Sequence, residues 1–466
     1  MNVVMIKALQ LVLSISLLVV LHEGGHFFFS KLFRVKVEKF FLFFDPYFHL
    51  FSTKDKWFTR LFPKFRNKET EYGIGWLPLG GYVKIAGMID ESMDTEQMKK
   101  PVQEWEFRAK PAWQRLFIMI GGVLVNFLLA LFIYAMVLFA WGEEYIPIQK
   151  MNMGFQFNEQ AKELGFCNGD VLIAVDGKPL KNWDNTVYRD ISEAHEVTVR
   201  RGGREQTFAM PGDLNMLEMF KADPPFMIPL LPAVVDSVLP GSPASAAGLR
   251  KNCSILFVNG ERADTWGYFD EVMKKCYERY EAASSDAECE RLRQIEVIYA
   301  PDLWGRPDTV TLTLTDDIKW GFIKRGLLHY YRPERVNYNL LSCIPAGISH
   351  GIDVLAGYVS DLKYLTTSEG LNSIGSFGTI GSIFPATWNW QAFWEITALL
   401  SLMLAFMNIL PIPALDGGHV LFLIAEMILR RPPSEKFLER AQMVGMVLLI
   451  ALMAFACYRD VVRFLL

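Results

Sequence analysis

The chain has little of several things that would place it in a class from composition alone. Its 466 residues carry 47 Lys and Arg against 51 Asp and Glu, a net charge of -4. Without a basic surplus, no nucleic-acid partner is expected. Six cysteines scattered over that length do not make a disulfide framework. Cys276 and Cys289 flank a charged helical stretch and form a candidate pair in an oxidising compartment, with two free thiols as the alternative. The first apolar run also lacks a small-residue cleavage site. Lys7 precedes it, as in a signal peptide, but the run ends in His22-Glu23-Gly24-Gly25-His26 and Phe27-Phe28-Phe29, so a retained membrane span is expected.

What is abundant is apolar residue: 51% of the chain is hydrophobic and 14% of the chain is aromatic, beside 21% charged residues. That balance suits a membrane protein with a large aqueous part. The first span carries H-E-x-x-H. On a helix, His22 and His26 share one face a turn apart and can offer two nitrogens to a zinc ion, with Glu23 close by as general base. Ionisable groups are costly at the end of a spanning segment and read there as a functional site. Lys31, Arg34, Lys36 and Lys39 follow and place that end on the cytoplasmic side.

Residues 37–68 mix aromatic and basic side chains, a composition suited to the membrane interface and anionic lipid. Residues 71–88 are punctuated by Pro78 and Gly80-Gly81, too short and interrupted for a span. A hairpin of two short strands is expected, whose unpaired edge would hold a substrate in extended form. A second span covers 112–141; in it Gly121-Gly122 and Asn126 stand at close-packing spacing, and Asn126 is read as an interhelical hydrogen-bonding residue.

Residues 145–225 and 226–320 have the alternation and turn signals of soluble domains. AKELGFCNGDVLIAVDGKPL, from Ala161, and PGSPASAAGLRKNCSILFVNGERA, from Pro240, follow one plan: a short helix ending at glycine, a turn, an apolar strand and a hairpin signal. They look like tandem PDZ-type domains, which take a peptide as an added strand and capture its terminal carboxylate. Asn252-Cys253-Ser254 departs from the usual Gly-Asp, which puts the second turn in question. Residues 332–390 read as an interfacial helix and a Gly-broken linker.

A third span, 393–416, ends in Asn408-Ile409-Leu410-Pro411-Ile412-Pro413-Ala414-Leu415-Asp416-Gly417-Gly418. The prolines free backbone groups that must face protein or a wet cavity. One reversing span separates the first from the third, so Asp416 can meet His22 and His26 as third ligand, leaving a fourth position for water; His419 and Glu426 are rivals. A fourth span covers 437–460, after a basic loop.

H-E-x-x-H in the first span, the Asn408-to-Gly418 motif in the third and PDZ-like domains between them resemble the bacterial site-2 protease family over nearly the whole chain. Pro78-Leu79-Gly80-Gly81-Tyr82-Val83-Lys84 is similar to that family's membrane-reentrant β-loop. The fold implied is a polytopic α-helical membrane protein with about four spans, a reentrant β-hairpin within 31–111 and two periplasmic PDZ-like α+β domains. The resemblance implies an inner-membrane protease with Zn2+ on His22, His26 and Asp416, and Glu23 as catalytic base near the cytoplasmic side. Asn408, Pro411, Pro413, Gly80, Gly81 and Tyr82 would bind substrate. The partners implied are single-pass transmembrane proteins, such as anti-sigma factors after a first cleavage or remnant signal peptides, together with membrane lipid and, at the PDZ-like domains, peptide carboxyl termini. Gly121-Gly122 stands where many members have Gly-Pro. The alternative is a non-catalytic membrane scaffold binding exported peptide tails.

Overall fold

The computed structural model describes residues 2–65, 68–88, 101–184, 186–302 and 305–465. Residues 89–100 of the expected interfacial segment lie outside the described part. Two compact units emerge, residues 1–142 with 337–466, and residues 143–336.

In the first unit, α1 (Val3–Leu32) runs 30 residues, about 45 Å at 1.5 Å per residue. Its buried stripe is polar: Gln10, Ser14, His22 and His26 recur at helical spacing with Leu18, Gly25 and Ser30, while Val4, Leu9, Leu13 and Phe28 are exposed. Apolar residues outward and polar ones inward is the pattern of a helix solvated by lipid. The chain then forms β1 (Val37–Ser52), α2 (Lys56–Leu61) and β2 (Glu71–Ile85). β1 and β2 are each bent on themselves: Lys39 to Leu42 pair with Lys84 to Gly81 on one side and with Glu71 to Ile74 on the other, and Ser52 and Phe51 pair with Gly73 and Ile74. The expected hairpin within 71–88 is therefore part of a larger sheet, half of which comes from the aromatic segment.

α3 (Ala112–Trp141) is the hub of the unit. Gly25 and Gly121 let α1 and α3 approach so closely that a Cβ on Gly25 would collide with the Gly121 carbonyl. α4 (Cys343–Asp361) packs its Gly347 on Ala135 and its Gly351 on Leu131 of α3, so this part of 332–390 is a packed helix and not only an interfacial one. α5 (Phe377–Ile383) leads to α6 (Trp390–Ile409), which is bonded to α1 through Thr397 and Ser14 and to α3 through Ser401 and the Asn126 carbonyl. α6 stops at Ile409, short of the expected 416, because Pro411 and Pro413 cannot continue it. Asp416 instead opens a further helix, α7 (Asp416–Leu429), in a stretch between the expected third and fourth spans. α8 (Glu435–Leu465) closes the unit. Among the described residues four helices are long and apolar enough to cross a membrane: α1, α3, α6 and, in α8, Lys436–Phe464.

The second unit contains two four-stranded antiparallel sheets of the same plan. In chain order the strands of the first are Val171–Val175, Lys178–Pro179, Glu196–Arg201 and Arg204–Ala209, and in space the second strand is at one edge, followed by the first, third and fourth. The strands Ser254–Val258, Glu261–Arg262, Gln294–Ala300 and Asp308–Thr313 repeat that order. Each repeat adds a short pair, Phe155–Phe157 with Met227–Pro229 and Val235–Val238 with Phe322–Lys324. The questioned turn is kept. Gly169 has φ +93° and Asn252 φ +71°, and Asn is a side chain that tolerates this left-handed region. The flanking bonds match: Gly169 N–H donates to Phe155 O, and Asn252 N–H to Val235 O. All six cysteines are free thiols, Cys276 and Cys289 included.

Candidate metal centre

The inward stripe of α1 delivers His22 and His26 one turn apart, facing α3. The Pro411–Leu415 turn, with Ala414 at φ +76°, reverses the chain after α6 and aims Asp416 at the same point. Asp416 Oδ2 lies 3.2 Å from His22 Nε2 and 3.3 Å from His26 Nε2, and the two Nε2 atoms are 3.3 Å apart. Among the described residues this is the one such cluster able to hold a metal. Tetrahedral zinc with bonds near 2.0–2.1 Å needs ligand separations of about 3.3 Å. Asp416 Oδ2 is buried and makes no hydrogen bond of normal geometry. Three acceptors converging on one point, one of them an orphaned carboxylate oxygen, fit a cation there.

The surroundings set which nitrogens are free. His26 Nδ1 is 2.8 Å from the Ile118 carbonyl, which only accepts, so Nδ1 carries the hydrogen and Nε2 keeps its lone pair. His22 Nδ1 is 3.2 Å from the Asn126 amide nitrogen, while Asn126 Oδ1 is buried without a partner. Turning that amide by 180° puts Oδ1 on a His22 Nδ1–H, satisfies the orphan and frees His22 Nε2 as well. Asn126 thus touches the site directly, beyond the helix-to-helix role expected of it. Its only signal in the sequence was an amide in a span beside Gly121-Gly122. Gly122 has its own reason: a Cβ there would stand 2.5 Å from His26 Nε2 and 2.6 Å from His22 Cε1.

Glu23 stays out of the cluster, half-buried, and its carboxylate accepts a hydrogen bond from the Val83 backbone N–H of β2. Gly81 rests against α1, where a Cβ would meet Val19 Cγ1 at 2.8 Å, so the outer edge of the 81–85 strand runs beside the motif. Asn408 Nδ2 is 3.4 Å from His22 Nε2. The remaining candidates stand apart from the cluster. The Tyr82 ring stacks between Phe41 and Phe44 and its hydroxyl donates to Asp45, Gly80 packs near Phe44, and Pro411 and Pro413 shape the turn, with Pro413 against Gly445 of α8. Neither rival ligand joins: His419 bonds Gln442 and Glu426 pairs with Arg115.

Comparison with known proteins agrees with this geometry. The family model described as Peptidase family M50 matches residues 10–452. The regulator of sigma-E protease RseP of Escherichia coli (strain K12) is 29% identical over 97% of both chains. A putative zinc metalloprotease of Vibrio cholerae serotype O1 and the protease RseP of Yersinia pestis are each 26% identical, again over 97% of both chains. Matched over nearly its whole length, the chain belongs to peptidase family M50, the site-2 proteases, and is an intramembrane zinc metalloprotease.

Proposed function

We propose that this protease cuts a peptide bond within or near the transmembrane segment of single-pass membrane proteins, in regulated intramembrane proteolysis, with His22, His26 and Asp416 holding the zinc ion. The observation that carries the assignment is the convergence of His22 Nε2, His26 Nε2 and Asp416 Oδ2 beside Glu23 and the outer edge of the 81–85 strand. Zinc at that position supplies a Lewis acid that acidifies water and polarises the scissile carbonyl. Glu23 takes the proton from the attacking water and hands it to the leaving nitrogen. Asn408 directs its amide N–H at the carbonyl oxygen as charge develops. A substrate helix must unwind before attack, and its exposed backbone groups pair with the 81–85 edge in place of their helical partners.

The two repeats of the second unit serve as PDZ-like periplasmic domains that exclude bulky ectodomains or read new carboxyl termini. The Lys- and Arg-rich ends of the spans support a site near the cytoplasmic face of the inner membrane. Substrates would be membrane proteins whose outer domain has already been removed, such as anti-sigma factors; two relatives carry sigma-E regulation or RseP in their names.

The test is cleavage of a reporter with one transmembrane segment and a trimmed outer domain, by the native chain and by Glu23→Gln. Cleavage lost in the variant while zinc is retained supports the reading. Equal cleavage by both would remove Glu23 from its role, and a native chain that binds such reporters without cutting any would favour the scaffold.

A further inference from the structure

The arm formed by β1, α2 and β2 carries a surface that the peptidase chemistry does not use. Phe58 fixes α2 to the arm, its ring 5.0 Å from Phe51, 4.9 Å from Phe62 and 5.3 Å from Phe65. With Phe58 turned inward, Trp57 and Leu61, four residues apart and so on one face, point outward at 59% and 66% exposure, joined by Phe62 at 47%. A parallel ridge holds Lys56 and Arg60, also four apart, with Lys54 and Lys64 beyond each end, all exposed. A globular surface seldom leaves a Trp, a Leu and a Phe together in water.

Charge pairing sharpens the pattern. The acidic side chains of β1 and its following turn are taken within the arm: Glu38 by Lys84, Asp45 by Lys39 and Tyr82, and Asp55 by His49 at 2.9 Å and the Ser52 N–H. Glu71 accepts from Ser52 and faces Lys54. Lys56, Arg60 and Lys64 face no carboxylate among the described residues. Position completes the case. Thr70 Oγ1 donates to the Val37 carbonyl and Thr53 N–H to the Tyr72 carbonyl, so the base of the sheet, where α2 sits, lies beside the carboxyl end of α1. The end of a membrane-spanning helix is at headgroup level.

We infer that α2 and its flanks dock on an anionic phospholipid surface, with Trp57, Leu61 and Phe62 entering the headgroup boundary and Lys56, Arg60 and Lys64 pairing with lipid phosphates. The rings supply the apolar contact of an interfacial helix and the unpaired cations supply its preference for negative lipid.

The test is hydrogen exchange of residues 56–62 in the full chain, in nanodiscs of phosphatidylcholine alone and of phosphatidylcholine mixed with phosphatidylglycerol. Exchange is expected to slow by up to roughly a hundredfold in the anionic discs, in line with three basic groups near a charged surface. That difference should vanish in K56Q/R60Q/K64Q, whose exchange in pure phosphatidylcholine should match the native chain and so report an intact fold. High salt on the native protein repeats the test without mutation, since screening removes the attraction. Equal exchange in both discs, or a difference that survives the triple substitution and high salt, would overturn the inference.

Discussion

Both compact units bury polar side chains, and they do so in opposite ways. In the second unit Asp170 is fully buried and fully answered: Arg201 donates to it from Nε and Nη2 at 2.7 Å, and the Cys167 N–H donates at 2.8 Å. In the first unit His22, His26 and Asp416 converge with acceptor facing acceptor, and Asp416 Oδ2 is left without a partner. A satisfied buried carboxylate holds a turn in place. An unsatisfied cluster holds room for something else, and its cost is tolerated only because an ion or substrate completes it.

Substitutions can break that contrast from either side. The largest effect is expected from Glu23→Gln, which should lower cleavage by about 10²–10⁴-fold, the range for a lost general base, while zinc content by mass spectrometry stays at the native level. Gly122→Ala should empty the site, since the added methyl falls against both imidazoles; zinc is lost together with activity, although both histidines remain. Asp170→Asn should leave zinc content unchanged yet destabilise the second unit by about 3 kcal/mol, read by chemical denaturation, because Arg201 loses its buried partner. Asn126→Ala should weaken zinc affinity roughly 10–100-fold, measured by chelator competition, as expected for a residue that orients a ligand. The smallest change is at the repeat turn. Asn252→Val should cost about 1–2 kcal/mol for forcing a branched side chain into the left-handed region, whereas Asn252→Gly should be close to neutral.

Much of the first unit was legible in the sequence because lipid imposes simple rules. The span at 112–141 is the helix Ala112–Trp141, and the histidine pair and Asp416 meet as the count of spans requires. Other features were hidden for physical reasons. β1 was read only as an interfacial mixture, since Phe40-Phe41-Leu42-Phe43-Phe44 has no period of two, and its pairing partners come about twenty to fifty residues later. α7 was not assigned because the prolines were read as ending the third span, while the chain resumes helix at Asp416. The contact of Asn126 with His22 joins residues 104 apart in sequence, and helical spacing says nothing about which side chain stands opposite. In the second unit the repeat was visible as a pattern. That Asn252 would serve where glycine usually does depends on φ, which no residue count reveals.

The separation of the proposed ligands along the chain also has a consequence for biosynthesis. His26 and Asp416 are 390 positions apart, and the whole second unit is made between them. At roughly 5–20 residues per second, about 20–80 s pass between synthesis of the two. On the proposed ligand set, the nascent chain during that interval holds the two histidines and the adjacent acid but not Asp416, so cleavage is expected only once the segment that carries Asp416 has been made.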